Sequence, residues 1–328
     1  MDEFDLIAVI QSRTAQSRGD VRLSIGDDAA LLTPPPGQQL VACTDTLVEG
    51  VHFPGGTAPD DLGWKSLAVN LSDLAAMGAT PAWALLALTL PQADARYVER
   101  FADGFARLAR QYKLALIGGD TTQGPLSITV SAFGFLPQDC ALLRSGARTG
   151  DAVFVTGTLG DAAAALRCLD RNDPCADALL AAAANTREEL LARLHRPQPR
   201  IAAGLALRGI ASACIDVSDG LIADLAHVCG ASGVGAELDA DALPMSSALL
   251  ELFETPDRRE FTLSGGDDYE LCFTAPVDRA DRISADFSRL GCGATRIGRI
   301  VEQPGVRVHD AHGNPIDTPH RGWLHFDA

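Results

Sequence analysis

Apolar residues recur at two periods along this chain, and the switches between them sketch its elements. Phe4, Leu6, Ile7 and Ile10 mark one short helix near the N-terminus. A strand around 21–26 leads into "LSIGDDAALL" (23–32), and "PPPG" at 34–37 breaks the chain before a second strand, "QQLVACTD", at 38–45. "PDDLGWKSLAVNLSDLAAMGATP" reads as a helix with legible ends: Asp60 or Asp61 as N-cap, Gly78 at the C′ position and Pro81 as the stop. Its apolar stripe is Leu67, Leu71 and Leu74, while Asn70 and Asp73 share a polar face. After a strand near 83–90, Tyr97, Phe101, Phe105, Leu108 and Tyr112 recur at helical spacing over 94–113. That stripe reads as a core or interface face, with Tyr112 at its more exposed end.

"LALIGGDTTQGPLSITVSAFGFLP" then reads as a strand, a Gly-Gly-Asp turn and a long β run. A break around 137–150 separates it from "DAVFVTGTLGDAAAALRCL", where strand, turn and helix begin again. Helical stretches at 176–195 and 200–208 flank "LHRPQPR", because residues before proline are pushed out of helical geometry. Arg196 and Arg200 in that segment read as partners in structural ion pairs. The strand "ACIDV", a helix from Leu221, and the strands "DDYELCFTA", "GATRIGRI" and "GVRVHD" follow, with a helix at about 278–290. Strands and helices mix in both halves, and 328 residues suit two cores rather than one. The expected fold is therefore α/β in two domains, 1–137 and 148–328.

Charge narrows the partners. Asp and Glu total 43 against 27 Lys and Arg, a net −16. Such a surface repels nucleic acid and anionic membranes, so neither is expected as a partner. A phosphate compound would need divalent cations to neutralise both sides. The eight cysteines include no C-x-x-C pair and read as small buried thiols of a reducing, cytoplasmic compartment. The N-terminus is acidic, without a basic leader region, and no apolar run reaches membrane-span length.

The chemistry is carried by acids. Asp27 and Asp28 sit between two apolar runs, where a carboxylate needs a cation, several donors or water. Asp45 follows "QLVACT", Asp120 follows "LALIGG", Asp216 and Asp219 lie in "CIDVSDGL", and Asp267 and Asp268 in "LSGGDDYELC". Asp73 projects from a helix. Asp at so many strand ends and turns, most flanked by glycine, exceeds what ordinary turns would give. It matches magnesium, which takes one or two carboxylates per ion and leaves other positions to water and phosphate oxygens. No P-loop, protein-kinase signature, G-x-S-x-G or H-E-x-x-H is present. "VTGTLGDAA" (155–163) serves equally as an anion-binding helix start or as a plain strand-to-helix turn. The residues alone leave Mg²⁺-assisted phosphoryl transfer and metal-dependent phosphate hydrolysis both open.

The motifs "IGDDAALL", "TDTLVEGVHF", "NLSDLAAMGATP", "LIGGDTTQGPLSI", "RSGARTGD", "VTGTLGD", "IDVSDGL" and "SGGDDYEL" resemble, in order, the thiamine-monophosphate kinase family of the aminoimidazole-ribonucleotide-synthetase-like superfamily. The resemblance spans about residues 4–326. It implies ATP- and Mg²⁺-dependent phosphorylation of thiamine monophosphate to thiamine diphosphate. It also implies a homodimer of two-domain subunits whose N-terminal sheets pair in a barrel-like arrangement, with active-site crevices that involve both chains. By motif, Asp28, Thr44, Asp45, Asp73, Asp120, Asp216 and Asp219 resemble the magnesium-linked positions, with Asp45, Asp120 and Asp219 at the catalytic centre. Gly119, Asp120, Arg144, Ser218 and, more weakly, Tyr112 resemble ATP contacts. His52, Asp267 and Trp323 resemble substrate contacts. Two positions depart from the family: Asp267 where Glu is frequent, and Cys43 where Ser or Thr is common.

The implied chemistry is simple. The attacking group is a phosphate oxygen whose second pKa is about 6, so no general base is required. What is required is cation screening and in-line alignment. Arg144 adds a fixed positive charge on the nucleotide phosphates. Trp323 offers a face for a cationic ring, or packs the C-terminal tail. His52 is a substrate contact or a satisfied structural histidine. Asp28 is expected to face a metal and Asp27 to serve the turn. A different phosphate acceptor, a phosphohydrolase and a non-catalytic nucleotide sensor are the competing readings.

Overall fold

The computed structural model describes residues 3–318 together with Gly322 and Trp323. The chain divides into two compact units, residues 1–74 with 79–141, and residues 75–78 with 142–328. The first holds α1 (Glu3–Thr14), β1 (Val21–Leu23), β2 (Leu31–Leu32), β3 (Gln38–Val48), α2 (Pro59–Ala76, whose last two residues fall in the second unit), β4 (Thr80–Leu90), α3 (Ala95–Gln111), β5 (Ala115–Gln123) and β6 (Ser127–Pro137). Its main sheet has the order β3-β6-β4-β5, antiparallel except for the β4–β5 pair.

Helix α2 starts at Pro59, so Asp60 and Asp61 lie in its first turn rather than at the N-cap. Proline suits that first position because its φ is already helical and its missing N–H would have had no partner. The aspartates still favour the positive end of the helix dipole, and Asp60 pairs with Arg100 at 2.5 Å. The other end closes as the sequence suggests: Gly78 has φ +67, its N–H reaches Ala75 O, and Ala79 N–H reaches Leu74 O. Asp94 caps α3 by accepting from the Arg96 and Tyr97 N–H groups. Phe101, Phe105 and Leu108 of the aromatic stripe are buried, and Tyr112 is its half-buried C-cap.

Two expectations about strands change. The segment Gly118-Gly119-Asp120 is no turn: β5 runs through it to Gln123. The register against β4 shifts between Ala84 and Leu85, so the glycines mark a bulge inside the strand. A Cβ on Gly119 would lie 1.8 Å from Leu86 O, a space only glycine leaves open. Likewise Asp45 sits within β3, opposite Val130, and not beyond its end.

The second unit comprises β7 (Ala152–Thr156), α4 (Asp161–Leu169), α5 (Cys175–Ala181), α6 (Ala184–His195), α7 (Ile201–Leu207), β8 (Ala213–Asp216), α8 (Leu221–Ser232), β9 (Gly235–Asp239), α9 (Ser247–Leu252), α10 (Thr255–Ser264), β10 (Leu271–Ala275), α11 (Ala280–Arg289), β11 (Ala294–Val301) and β12 (Gly305–His309). The sheet order is β12-β9-β11-β7-β10-β8, with only β12–β9 parallel. Alternation along the strands sends Val153, Val155, Ile215 and Cys272 into one core with Leu221, Leu225 and Val228 of α8. The residues between them form the opposite face, where Phe154 stacks on Phe273 and Phe273 on Phe287 of α11. Strand β10 starts only at Leu271, because Asp267 and Tyr269 have φ of +68 and +51. Among the described residues no helix is long and apolar enough to cross a membrane.

Candidate active site

Strand β3 supplies Thr44 and Asp45 on opposite faces. Thr44 Oγ1 donates to Val130 O at 3.2 Å and lies 3.0 Å from Ser131 Oγ. Cys43, on the Asp45 face, donates to Asn70 O of α2 at 3.4 Å. Burial, then the charges of Asp73 and Asp45, push the Cys43 thiol far above its ordinary range. Asp45 and Asp73 therefore flank one thiol, and helix spacing sets Asn70 and Asp73 on the same side of α2.

Asp27 Oδ1 accepts the Asp28 N–H at 2.9 Å, which fixes the turn and leaves the Asp28 carboxylate exposed. Asp28 lines a cavity of about 930 Å³ together with Gly119 and Asp120, and the remaining wall includes Ile10, Leu40, Trp83 and Phe133. His52 Nδ1 accepts the Val48 N–H at 3.0 Å, which leaves the proton of a neutral ring on Nε2.

Other expected neighbours stand apart. Asp45 pairs with Val130, Val130 with Leu86 and Leu86 with Gly119, so Asp45 and the Gly119–Asp120 segment share a row at opposite sheet edges. Three strand spacings separate them, about 14 Å. Tyr112 precedes β5, whereas Asp120 lies five residues along it, about 16 Å farther.

In the second unit, Asp216 closes β8 and is buried, and Ser218 and Asp219 follow in the loop to α8. Two backbone bonds zip this loop to segment 267–269: Asp267 N–H to Ser218 O and Tyr269 N–H to Val217 O. Tyr269 Oη donates to Asp267 Oδ1 at 2.9 Å. Trp323, whose side chain is exposed, donates its backbone N–H to Asp219 O at 3.0 Å. Ser218, Asp219, Asp267 and Trp323 thus form one neighbourhood. Arg144 lies elsewhere in the unit. Leu143 O takes the Cys214 N–H at the start of β8, about 13 Å of strand and loop from Ser218.

Beneath the 267–270 loop is a buried charge cluster. Glu270, fully buried, accepts from Thr156 Oγ1 (2.6 Å), Arg193 Nη2 (2.8 Å), Arg200 Nε (2.6 Å) and Arg200 Nη2 (2.5 Å). Asp268 accepts the Gly160 N–H with both oxygens at 3.0 Å, and burial holds it well above the usual carboxylate range despite Arg193. Three carboxylates (Asp161, Asp268, Glu270) face two guanidiniums here, so a proton retained on Asp268 brings the cluster to neutrality.

Residues 26–136 match the model of the AIR synthase related protein, N-terminal domain, and residues 148–311 that of its C-terminal domain. The thiamine-monophosphate kinase of Escherichia coli is 47% identical over 324 residues, which are 99% of this chain and 98% of the relative. The chain belongs to the thiamine-monophosphate kinase family. The crystal structure of the thiamine-monophosphate kinase from Stenotrophomonas maltophilia superposes with a TM-score of 0.87 at 51% identity, covering 96% of this chain and 98% of that one. AaThiL complexed with AMPPCP and TMP superposes at 0.76 with 35% identity, covering 99% and 97%.

In this thiamine-monophosphate kinase family member the Cys43 thiol stays protonated and donates to Asn70 O. Among the described residues no three His, Cys, Asp or Glu side chains converge into a ready metal cage. The carboxylates are spread instead: Asp45 and Asp73 beside Cys43, Asp28 and Asp120 on the wall of one cavity, and Asp216 and Asp219 beside Asp224. One or two hard oxygens per site fit magnesium, which keeps waters and phosphate oxygens as its other ligands. Burial, with Asp216 and Asp219 nearby, pushes Asp224 up to about 7. Asp224, Tyr269 and Glu270 escaped the sequence reading. Asp224, in the first turn after a Gly-bounded acidic loop, was the one with a visible signal.

Proposed function

We infer that this chain transfers the γ-phosphoryl group of ATP to thiamine monophosphate, giving thiamine diphosphate and ADP. The observation that carries the reading is the match over 99% of the chain to AaThiL complexed with AMPPCP and TMP. We propose Mg²⁺ at Asp28, Thr44, Asp45, Asp73 and Asp120 in domain 1–137, and at Asp216 and Asp219 in domain 148–328. When bound, magnesium neutralises phosphate charge and lets two polyanions approach.

The chain's own residues bind and orient. Gly119 leaves its backbone open to a phosphate, since no side chain screens it, and Tyr112, Arg144 and Ser218 are the other nucleotide contacts in this proposal. His52, its Nδ1 already engaged by the Val48 N–H, offers Nε2–H to the substrate phosphate. Asp267 cannot favour a phosphate. With its carboxylate held by Tyr269 it takes the cationic or N–H-bearing part of the substrate, and the exposed Trp323 gives that cationic ring a face. The substrate phosphate oxygen attacks in line; it is largely ionised above a pKa of about 6, and no general base takes part.

A homodimer through the first unit belongs to the same proposal. Exposed Phe4 (76%), Leu31 (59%) and Leu40 (52%) support it, with Leu40 also bordering the cavity that Asp28 and Asp120 line. The eight free thiols suit a cytoplasmic setting. The reading is tested by following free phosphate and ADP together with and without thiamine monophosphate. ADP should accumulate only with the acceptor present, while free phosphate stays at background. Equal release of ADP and phosphate, indifferent to the acceptor, would make the chain a phosphohydrolase.

A further inference from the structure

The loop that carries Ser218 and Asp219 is folded around a side chain with no assigned role. Asp224 Oδ2 accepts the backbone N–H of Ser218 at 3.0 Å, of Asp219 at 3.1 Å and of Gly220 at 3.1 Å. Three successive N–H groups aimed at one oxygen form the concave nest that proteins otherwise use for bound anions. Here the anion belongs to the chain itself, and Asp224 is only 3% exposed, so water does not share the task.

This is more than a helix cap. A carboxylate in the first turn commonly reaches back to the N-cap N–H. Asp224 also holds the two residues before the N-cap Gly220, and those are the functional ones. The loop is satisfied from its other side as well. Its carbonyls at Val217, Ser218 and Asp219 take the N–H groups of Tyr269, Asp267 and Trp323. Loss of the inner acceptor would free the N–H row, and the loop would shift against those outer contacts.

We propose that Asp224 is a positioning residue that sets Ser218 and Asp219 for nucleotide and metal through these three N–H bonds. The proposal rests on the kinase reading of Ser218 and Asp219. Two variants of the full chain separate acceptor geometry from charge: Asp224→Ala removes the acceptor, and Asp224→Asn keeps an oxygen in its place. Mispositioning on the scale of 1 Å costs on the order of 100-fold. Asp224→Ala should therefore lose about that factor in kcat/KM for ATP and need more Mg²⁺ for half-maximal rate. Asp224→Asn should recover most of the loss. Wild-type ATP and Mg²⁺ dependence in Asp224→Ala would overturn the proposal, as would an Asn variant no better than Ala.

Hydrogen exchange on the unaltered protein gives a second measurement that needs no variant to fold. The Ser218, Asp219 and Gly220 amides should be protected by roughly 100-fold or more over an unstructured chain. Unprotected exchange at these three positions would overturn the assignment. A wild-type protein that makes no thiamine diphosphate would instead remove the kinase reading and leave the exchange pattern as it is.

Discussion

Asp45 and Asp120 lie at opposite edges of one sheet, the first half-buried beside Cys43 and the second exposed in a cavity wall. Neither supports a core, so removing either charge should affect chemistry and spare the fold. Asp45→Asn and Asp120→Asn should each lower turnover by 100-fold or more, about the scale of losing one aligned electrostatic group, with thermal midpoints nearly unchanged. Near-normal rates in both variants at saturating Mg²⁺ would remove these residues from the metal site. Asp268 has the opposite character. Burial raises its pKa in the fold, so the native state keeps a proton that the unfolded chain releases near pH 4, and the stability it contributes is lost as pH rises from there through the folded value. Asp268→Asn removes that titration while keeping an acceptor for the Gly160 N–H. Urea midpoints should show the variant gaining on wild type as pH rises from about 4, and parallel curves would contradict it. Asp28, Asp120, Asp219 and Asp267 were legible in the sequence because each lies within two residues of a glycine in an acidic motif. Glu270 was not, since Arg193 and Arg200 lie 77 and 70 positions away and only folding brings them together.

Elements were legible where a local rule fixes them. Gly78 ends α2 through its left-handed backbone, and Asp94 begins α3 by capping. The Gly-Gly-Asp segment misled because glycine serves a turn and a bulge equally, and only the register with β4 decides between them. Strand β9, "GAELD", gave no signal: one glycine and two acids in five residues are poor strand formers, and its place between β12 and β11 comes from its neighbours. Gly119→Ala tests the bulge. A Cβ 1.8 Å from Leu86 O must push β5 away from β4, so urea unfolding should show a loss of about 3 kcal/mol, together with loss of activity from the displaced Asp120. An alanine variant with wild-type stability would mean the strands have room there. In the second unit, Glu270→Ala leaves two partly buried guanidiniums without their shared carboxylate and should cost about 3 kcal/mol. A loss under 1 kcal/mol on the same urea measurement would contradict that ledger.

For the whole molecule, mixed strands and helices in both halves were enough to place the fold class, and the two α/β units follow from it. The sequence pattern could not say which apolar residues remain outside. Phe4, Leu31 and Leu40 read as core residues by type, yet each is more than half exposed. If the proposed homodimer forms there, Leu40→Glu should shift the mass measured by light scattering from two chains to one and lower kcat with it. A wild-type protein that is already a monomer would contradict the dimer. The net charge of −16 repels anionic substrates, which is why the proposed activity calls for cations. The most direct measurement is to incubate the purified protein with ATP, Mg²⁺ and thiamine monophosphate and separate the thiamine compounds by chromatography. Thiamine diphosphate should appear one for one with ADP and vanish with EDTA; ADP and free phosphate without thiamine diphosphate would contradict the account.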